Sequence, residues 1–233
     1  MKKLLKRIVV LLLVIVFVCF TVLTGRGYLM YRDALQQQGL SDRVAEIQSN
    51  PNYTPISDLP EMYLDAVVAV EDHRFTQHFG IDLISIGLAT WNNLTSWSLQ
   101  EGGSTITQQL AKNLYFTQEK SFIRKIAEMF MAFNLERTYE KDEILELYVN
   151  SIYFGNGYYC VRSASLGYFG KKPISMGDYE CTLLAGIPNA PSVYSLAANP
   201  ELAQQRQQFV IRQMVRYGYI SETEGEAIIG QQP

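Results

Sequence analysis

The sequence predicts a mainly α-helical exported domain behind one N-terminal membrane helix. Lys2, Lys3, Lys6 and Arg7 precede an almost unbroken apolar run from Ile8 to Leu23. Beyond that run, apolar residues recur at i, i+3, i+4 and i+7 in one segment after another. No stretch of useful length alternates apolar and polar residues as a half-buried strand would.

The apolar run is a little shorter than the ~20 residues that span a bilayer, but Leu4 and Leu5 lengthen it and the flanking cations can snorkel. Thr24-Gly25 is followed at once by Arg26, which leaves no small-x-small cleavage site, so an uncleaved anchor is expected rather than a signal peptide. The leading basic residues should hold the N-terminus in the cytoplasm and place the rest outside. Lys and Arg number 20 against 23 Asp and Glu. Four of those 20 lie ahead of the anchor, so the exported part is mildly acidic and nucleic acid is not an expected partner. Its ~200 residues suffice for one domain with a core. Cys160 and Cys181 sit in apolar surroundings and are expected as buried free thiols rather than a disulfide.

Residues 25–58 read as a stem, a mostly polar helical piece to about Gln48 followed by the loop Ser49 to Pro55. Pro60 suits the first turn of the next helix, with Asp58 or its neighbour as cap. In that helix Leu64, Val67, Val68 and Glu71 share one face, so the Glu71 carboxylate continues an apolar stripe. A carboxylate there loses water, its pKa rises, and it becomes a proton acceptor or donor near neutral pH. The plainer alternative is a helix-end Glu that turns outward or pairs with Arg74. After the His78-Phe79-Gly80 turn, Ile81, Ile84, Leu88 and Trp91 again follow helical spacing. Trp91 and Trp97 suit either core or a segment lying among lipid headgroups.

Gly102-Gly103-Ser104 opens the following helix, where Thr105 and Gln108 make a capping box. Ser104, Gln108 and Lys112 then line one side of its first turns, and Ile106, Leu110 and Leu114 another. A glycine turn, a helix N-terminus and a lysine together suit a phosphate or pyrophosphate, although such a start is often only a cap. A helix is expected from Ser121 to about Thr138, in which Glu128 stands four and three residues after Arg124 and Lys125. That is either a surface ion pair or a second carboxylate held ionised by two cations that face a phosphate. Asp142 is the expected cap of a helix from Glu143 to Asn150. Tyr153 to Tyr158 forms an aromatic, glycine-rich turn, and helices follow over 163–168, 176–185 and 201–217.

Taken together, Glu71-Asp72-His73-Arg74-Phe75 with His78 and Gly80, then GGSTITQQLAKN from Gly102, Arg124-Lys125 with Glu128, and KDEILELYVNSIYFGNGYY from Lys141 resemble the successive motifs of the bacterial peptidoglycan glycosyltransferases, glycosyltransferase family 51. Order and spacing match over roughly residues 55–220. With neither S-x-x-K nor K-T-G in the chain, the resemblance points to the monofunctional type.

The resemblance implies an all-α, lysozyme-like fold of a larger head and a smaller membrane-proximal jaw. It implies polymerisation of lipid II into β-1,4-linked glycan at the outer face of the cytoplasmic membrane. Glu71 would be the general base toward the acceptor's 4-hydroxyl, Glu128 a second essential carboxylate, and Ser104, Gln108, Gln109, Lys112, Arg124 and Lys125 the contacts to donor and pyrophosphate. Residues 1–24 are then tail and anchor, 25–54 stem, and 55–233 the glycosyltransferase domain. The implied partners are lipid II, the growing glycan strand, membrane lipid and other cell-wall synthesis proteins. No cofactor is required, although some members use a divalent cation, Mg or Mn, at the pyrophosphate. His78 is expected to be structural, beside the cleft.

The chain departs from the family pattern at Leu88 and Ala127, where cations are common, at Cys160, where glycine is usual, and at Gln207, in place of the second Arg of a late pair. Arg74, Lys120 and Lys125 are the cations expected to compensate. A peptidoglycan hydrolase of lysozyme or lytic-transglycosylase type shares the fold and a single key Glu, but has no use for the phosphate-suited stretch or the anchor. An inactive membrane-tethered scaffold would explain the missing cations but not two retained, awkward carboxylates.

Overall fold

The computed structural model describes residues 2–88, 103–117 and 121–231, so the expectations for Trp91, Trp97 and Lys120 lie outside the described residues. The long elements are α1 (Lys2–Gln37), α2 (Leu40–Gln48), α3 (Glu61–Glu71), α4 (Ile106–Tyr115), α5 (Phe122–Thr138) and α6 (Lys141–Val149), then α7 (Val161–Phe169), α8 (Asp178–Gly186), α9 (Pro200–Arg216) and α10 (Glu222–Ile229). Among the described residues the only strand-like pairing is an isolated bridge between Tyr153 and Tyr159. The fold is all-α, as the periodicity predicts.

Helix α1 has 36 residues, roughly 54 Å at 1.5 Å per residue. It is long and apolar enough to cross a membrane, and Ile8 to Leu23 are exposed along its whole apolar run. The helix does not stop where that run ends. Its C-terminal part lies along α5, and at Gly27 the two helices come so close that a Cβ would stand 2.5 Å from Ile126 Cγ2. One turn further on, Tyr28 and Tyr31 pack their rings on Phe130 with centroids 5.4 and 5.9 Å away. The first part of the expected stem is therefore a stiff continuation of the membrane helix, docked on the helix that carries Arg124, Lys125 and Glu128.

The loop after α2 is pinned to α6. Asn150 Oδ1 accepts from the Thr54 amide and its Nδ2 donates to the Thr54 carbonyl, both at 2.8 Å. Glu146 accepts from the Ile56 amide at 2.6 Å and from the Tyr53 hydroxyl.

Helix α3 begins one residue later than expected. Asp58 closes a short 3-10 turn, and Pro60, extended at ψ 138°, is the N-cap rather than a first-turn residue. The deeply buried face of α3 is Tyr63, Ala66, Val67 and Ala69, with Leu64 and Val68 only half-buried. The core side is turned from the expected stripe because α3 is packed by both α8 and α9.

The other caps are local. Thr105 and Gln108 form the expected box, and Ser121 accepts from the Arg124 amide. The α6 cap falls two residues before the expected Asp142, since the Glu143 carboxylate reaches back to the Glu140 amide at 2.8 Å. Helix α10, opened by a Ser221–Glu224 box, was not foreshadowed by the apolar periodicity. The core is built from Tyr63, Ile106, Leu110, Met131, Leu135 and Ile144, all fully buried, where α4 packs on α5 and α6.

Cys160 and Cys181 are buried free thiols. Cys160 heads α7 at φ 82° and ψ 152°, a backbone shape that suits glycine and is unfavourable for a residue with a Cβ.

Candidate active site

One cleft of about 740 Å³ opens between the end of α3, the first turns of α4 and α5, and one face of α9. Its volume is that of a typical small-ligand site. Glu71, the last residue of α3, lies on its wall. Its Oε2 accepts from Gln109 Nε2 at 2.7 Å, while its Oε1 is buried with no partner. Gln109 in turn accepts at Oε1 from the Tyr148 hydroxyl at 3.1 Å. Burial raises the Glu71 pKa above the ordinary carboxylate value, against the opposing pull of the Gln109 bond, Arg206 and Lys112. A raised pKa of this cause is what a proton-transfer group near neutral pH requires.

Arg74 does not pair with Glu71. Its Nε lies 2.9 Å from Oδ2 of the buried Asp82. Asp72, next to Glu71, is also buried; its Oδ2 accepts from the Ile106 amide at 3.0 Å and pairs with His78 Nε2 at 2.9 Å. The end of α3 is thus bolted to the start of α4, and this sets where Glu71 stands relative to that helix. His78 is a structural part of this bolt.

The other end of the cleft is cationic. Lys125 Nζ donates to Ser104 Oγ at 2.7 Å and lies 3.1 Å from Glu128 Oε2. Arg124 Nε lies 3.2 Å from Glu128 Oε1, and Arg124 Nη1 donates to the Thr117 carbonyl at 2.8 Å. Glu128 is 1% exposed, so this is not a surface ion pair. Burial lowers the Lys112 pKa, with Glu128 holding it up and Arg124 and Lys125 pushing it further down. Ser104, Gln108, Gln109, Lys112, Arg124 and Lys125 therefore join Glu71 and Glu128 around one cavity.

Sequence reasoning missed the α9 wall. Arg206, Phe209, Gln213 and Arg216 line the cleft with Tyr217 just after the helix, and their helical spacing was the available signal. The Arg206 guanidinium packs 4.7 Å from the Phe209 ring centroid. Burial lowers its pKa and the nearby Glu71 raises it. His73 stacks flat on Tyr217 at 3.9 Å and 7°.

The departures fall differently. Leu88 lines the cleft, Ala127 is fully buried, and Gln207 points away from the cavity, donating to the Tyr179 carbonyl at 2.9 Å and to Thr182 Oγ1 at 3.0 Å.

The Transglycosylase family profile matches residues 39–215, from α2 to the end of α9. The chain belongs to the transglycosylase family. It is 42% identical over 183 residues to a Cupriavidus necator protein provisionally named a transglycosylase, covering 78% of this chain and 79% of that one. It is 42% identical over 191 residues to penicillin-binding protein 1F of Bacillus subtilis, covering 82% of this chain and 27% of that protein. With penicillin-binding protein 1A of Aquifex aeolicus it shares 43% over 179 residues, 77% of this chain and 25% of that one. The chain thus spans about a quarter of the penicillin-binding proteins it matches. The transglycosylase match takes in both ends of the cleft, Glu71 with its Gln109 partner and Glu128 with its two cations.

Proposed function

We propose that this chain is a peptidoglycan glycosyltransferase that polymerises lipid II at the outer face of the cytoplasmic membrane, with Glu71 as general base. The observation that carries this reading is the division of the cleft. A carboxylate with a raised pKa and one unpartnered oxygen stands on one wall, and Lys112, Arg124 and Lys125 gather at the other end.

Glu71 takes the proton of the acceptor's 4-hydroxyl as that oxygen forms a bond to C1 of the donor sugar. The C1–O bond to the pyrophosphate breaks, the electron pair leaves with undecaprenyl pyrophosphate, and the configuration at C1 inverts. Lys112, Arg124 and Lys125 are preorganised for the charge that accumulates on the departing group, a contribution that counts more in a confined site than in water. Glu128 holds Arg124 and Lys125 in place and keeps the cationic end from repelling itself. Helix α1 anchors the domain as a single-pass span with the N-terminus in the cytoplasm, and its rigid docking on α5 holds the cationic end close to the membrane that carries the substrate.

Among the described residues no group of three or more His, Cys, Asp or Glu gathers to hold a metal by protein ligands alone; a divalent cation on the pyrophosphate would need only one or two carboxylates beside the phosphate oxygens, and Glu128, which also faces Arg124 and Lys125, is the carboxylate at that end of the cleft.

The test is polymerisation of labelled lipid II by the full chain in detergent. Wild type should yield glycan polymer and undecaprenyl pyrophosphate, and Glu71→Gln should be slower by roughly 10²-fold or more, the usual contribution of a general base. Absence of polymer from wild type, where a related synthase is active in the same detergent, would sink the reading.

A further inference from the structure

Glu71 is the end of a chain of hydrogen bonds that crosses three helices. Tyr148 on α6 donates to Gln109 on α4, and Gln109 donates to Glu71 on α3. Tyr148 is fully buried, and a buried hydroxyl is unfavourable unless it finds a partner. Tyr63, also fully buried, supplies the contrast, because its hydroxyl has no partner.

An amide side chain can present either end to a neighbour. If Gln109 turned its carbonyl to Glu71, two oxygens would face one another and repel. With the Tyr148 hydroxyl donating to Oε1, the NH₂ group is left to point at the carboxylate, and donation into the carbonyl also polarises the amide and strengthens the second bond.

We propose that Tyr148 is a positioning residue for the base: through Gln109 its hydroxyl holds Glu71 by Oε2 and leaves Oε1 as the oxygen that receives the acceptor's proton. This rests on the reading of Glu71 as general base. It also gives Gln109 a role on the base rather than on the donor pyrophosphate.

The consequence is a pH effect. The groups that bear on Glu71 are Asp72 beside it, Lys112 and Gln109 from α4, Arg206 from α9 and Tyr148 from α6. Of these, the Gln109 bond stabilises the ionised form, so loosening it raises the Glu71 pKa.

The experiment compares initial rates of lipid II polymerisation against pH for the full chain in detergent, as wild type, Tyr148→Phe, Tyr63→Phe and Gln109→Ala. Tyr148→Phe should lower kcat by up to about tenfold, the upper end of one hydrogen bond between neutral groups. It should leave KM within about twofold and move the acid limb of the profile upward. Tyr63→Phe, which removes an equally buried hydroxyl, should leave the limb where it is. Adding Tyr148→Phe to Gln109→Ala should produce little further loss, because the hydroxyl acts only through the amide.

A Tyr148→Phe enzyme with wild-type kcat and pH profile would overturn the proposal, as would an equal loss in the Gln109→Ala background. Should Tyr148→Phe fail to fold, Gln109→Ala must by itself raise the acid limb, and an unmoved limb there overturns the proposal equally. The two levels separate cleanly. An active Glu71→Gln removes the base assignment, whereas an inactive Glu71→Gln beside an unaffected Tyr148→Phe removes only the positioning role.

Discussion

Gln109 Nε2 stands 2.7 Å from Glu71 Oε2, on a helix whose first amide is held by Asp72, the residue next to Glu71. The two motifs are therefore joined at the Ile106 amide and at the Glu71 carboxylate, and a third time where Thr105 Oγ1 donates to the Gly80 carbonyl at 2.7 Å.

The acid limb of the polymerisation rate should lie above the ordinary carboxylate range. On the proposed reading Glu71 acts in its ionised form; burial raises its pKa, and activity is lost as pH falls through that raised value. A rate profile at saturating lipid II that holds flat down to the pKa of an exposed glutamate would contradict this.

The same burial makes Glu71 a liability to the fold. Because the folded-state pKa is above the unfolded one, the native state binds the extra proton in the window between them, and stability falls as pH rises through it. At neutral pH, Glu71→Gln should therefore melt higher than wild type, by ~2 °C, and the gain should shrink as the medium is acidified toward the unfolded pKa. Thermal melts of both proteins at several pH values check the sign.

Glu128→Gln leaves Arg124 and Lys125 facing a neutral group. Removing one partner of a fully buried pair destabilises by about 3–5 kcal/mol, but Lys125 is 40% exposed, so the loss here should be nearer ~1–2 kcal/mol after solvent screening. Activity should fall through weakened donor binding, seen as a drop in kcat/KM of about tenfold or more. Denaturant titration and steady-state kinetics on one preparation measure both.

At Cys160, φ is 82°, a strain worth about 1–3 kcal/mol for a residue with a Cβ. Cys160→Gly relieves the strain and loses a small buried side chain, so the two effects should offset to within ~1 kcal/mol. Cys160→Val adds β-branching to the same backbone and should destabilise by roughly 2–3 kcal/mol. A pair of thermal melts separates these outcomes.

Gly27→Val should pry α1 from α5. The added Cβ would meet Ile126 Cγ2 at 2.5 Å and the Ile123 carbonyl at 3.2 Å, and overpacking of this kind costs about 1–3 kcal/mol. The melting temperature in detergent should fall, and proteolysis near residues 24–37 should quicken.

Much of the site was legible in order along the chain. Glu71 could be suspected because it follows an apolar helical pattern, and the Thr105–Gln108 box because capping is a contact between neighbours. Glu128 beside Arg124 and Lys125 follows from helical spacing alone. The α9 wall was not legible, because Arg206, Phe209 and Gln213 read as an ordinary amphipathic helix until α9 is laid against α3. Nor was Arg74, whose partner Asp82 is chosen by the turn between them.

By itself, the sequence determined the helical class, the N-terminal apolar helix, and the two carboxylates with their local caps and cations. Each of these depends on interactions within about four residues or on the composition of one segment. Only the tertiary structure decided that Gln109 donates to Glu71, that Tyr148 stands behind Gln109, that Gln207 faces the core, and that the first part of the stem continues the N-terminal apolar helix. Those facts depend on how helices far apart in the chain pack, and packing is settled by shape and burial across the whole core at once.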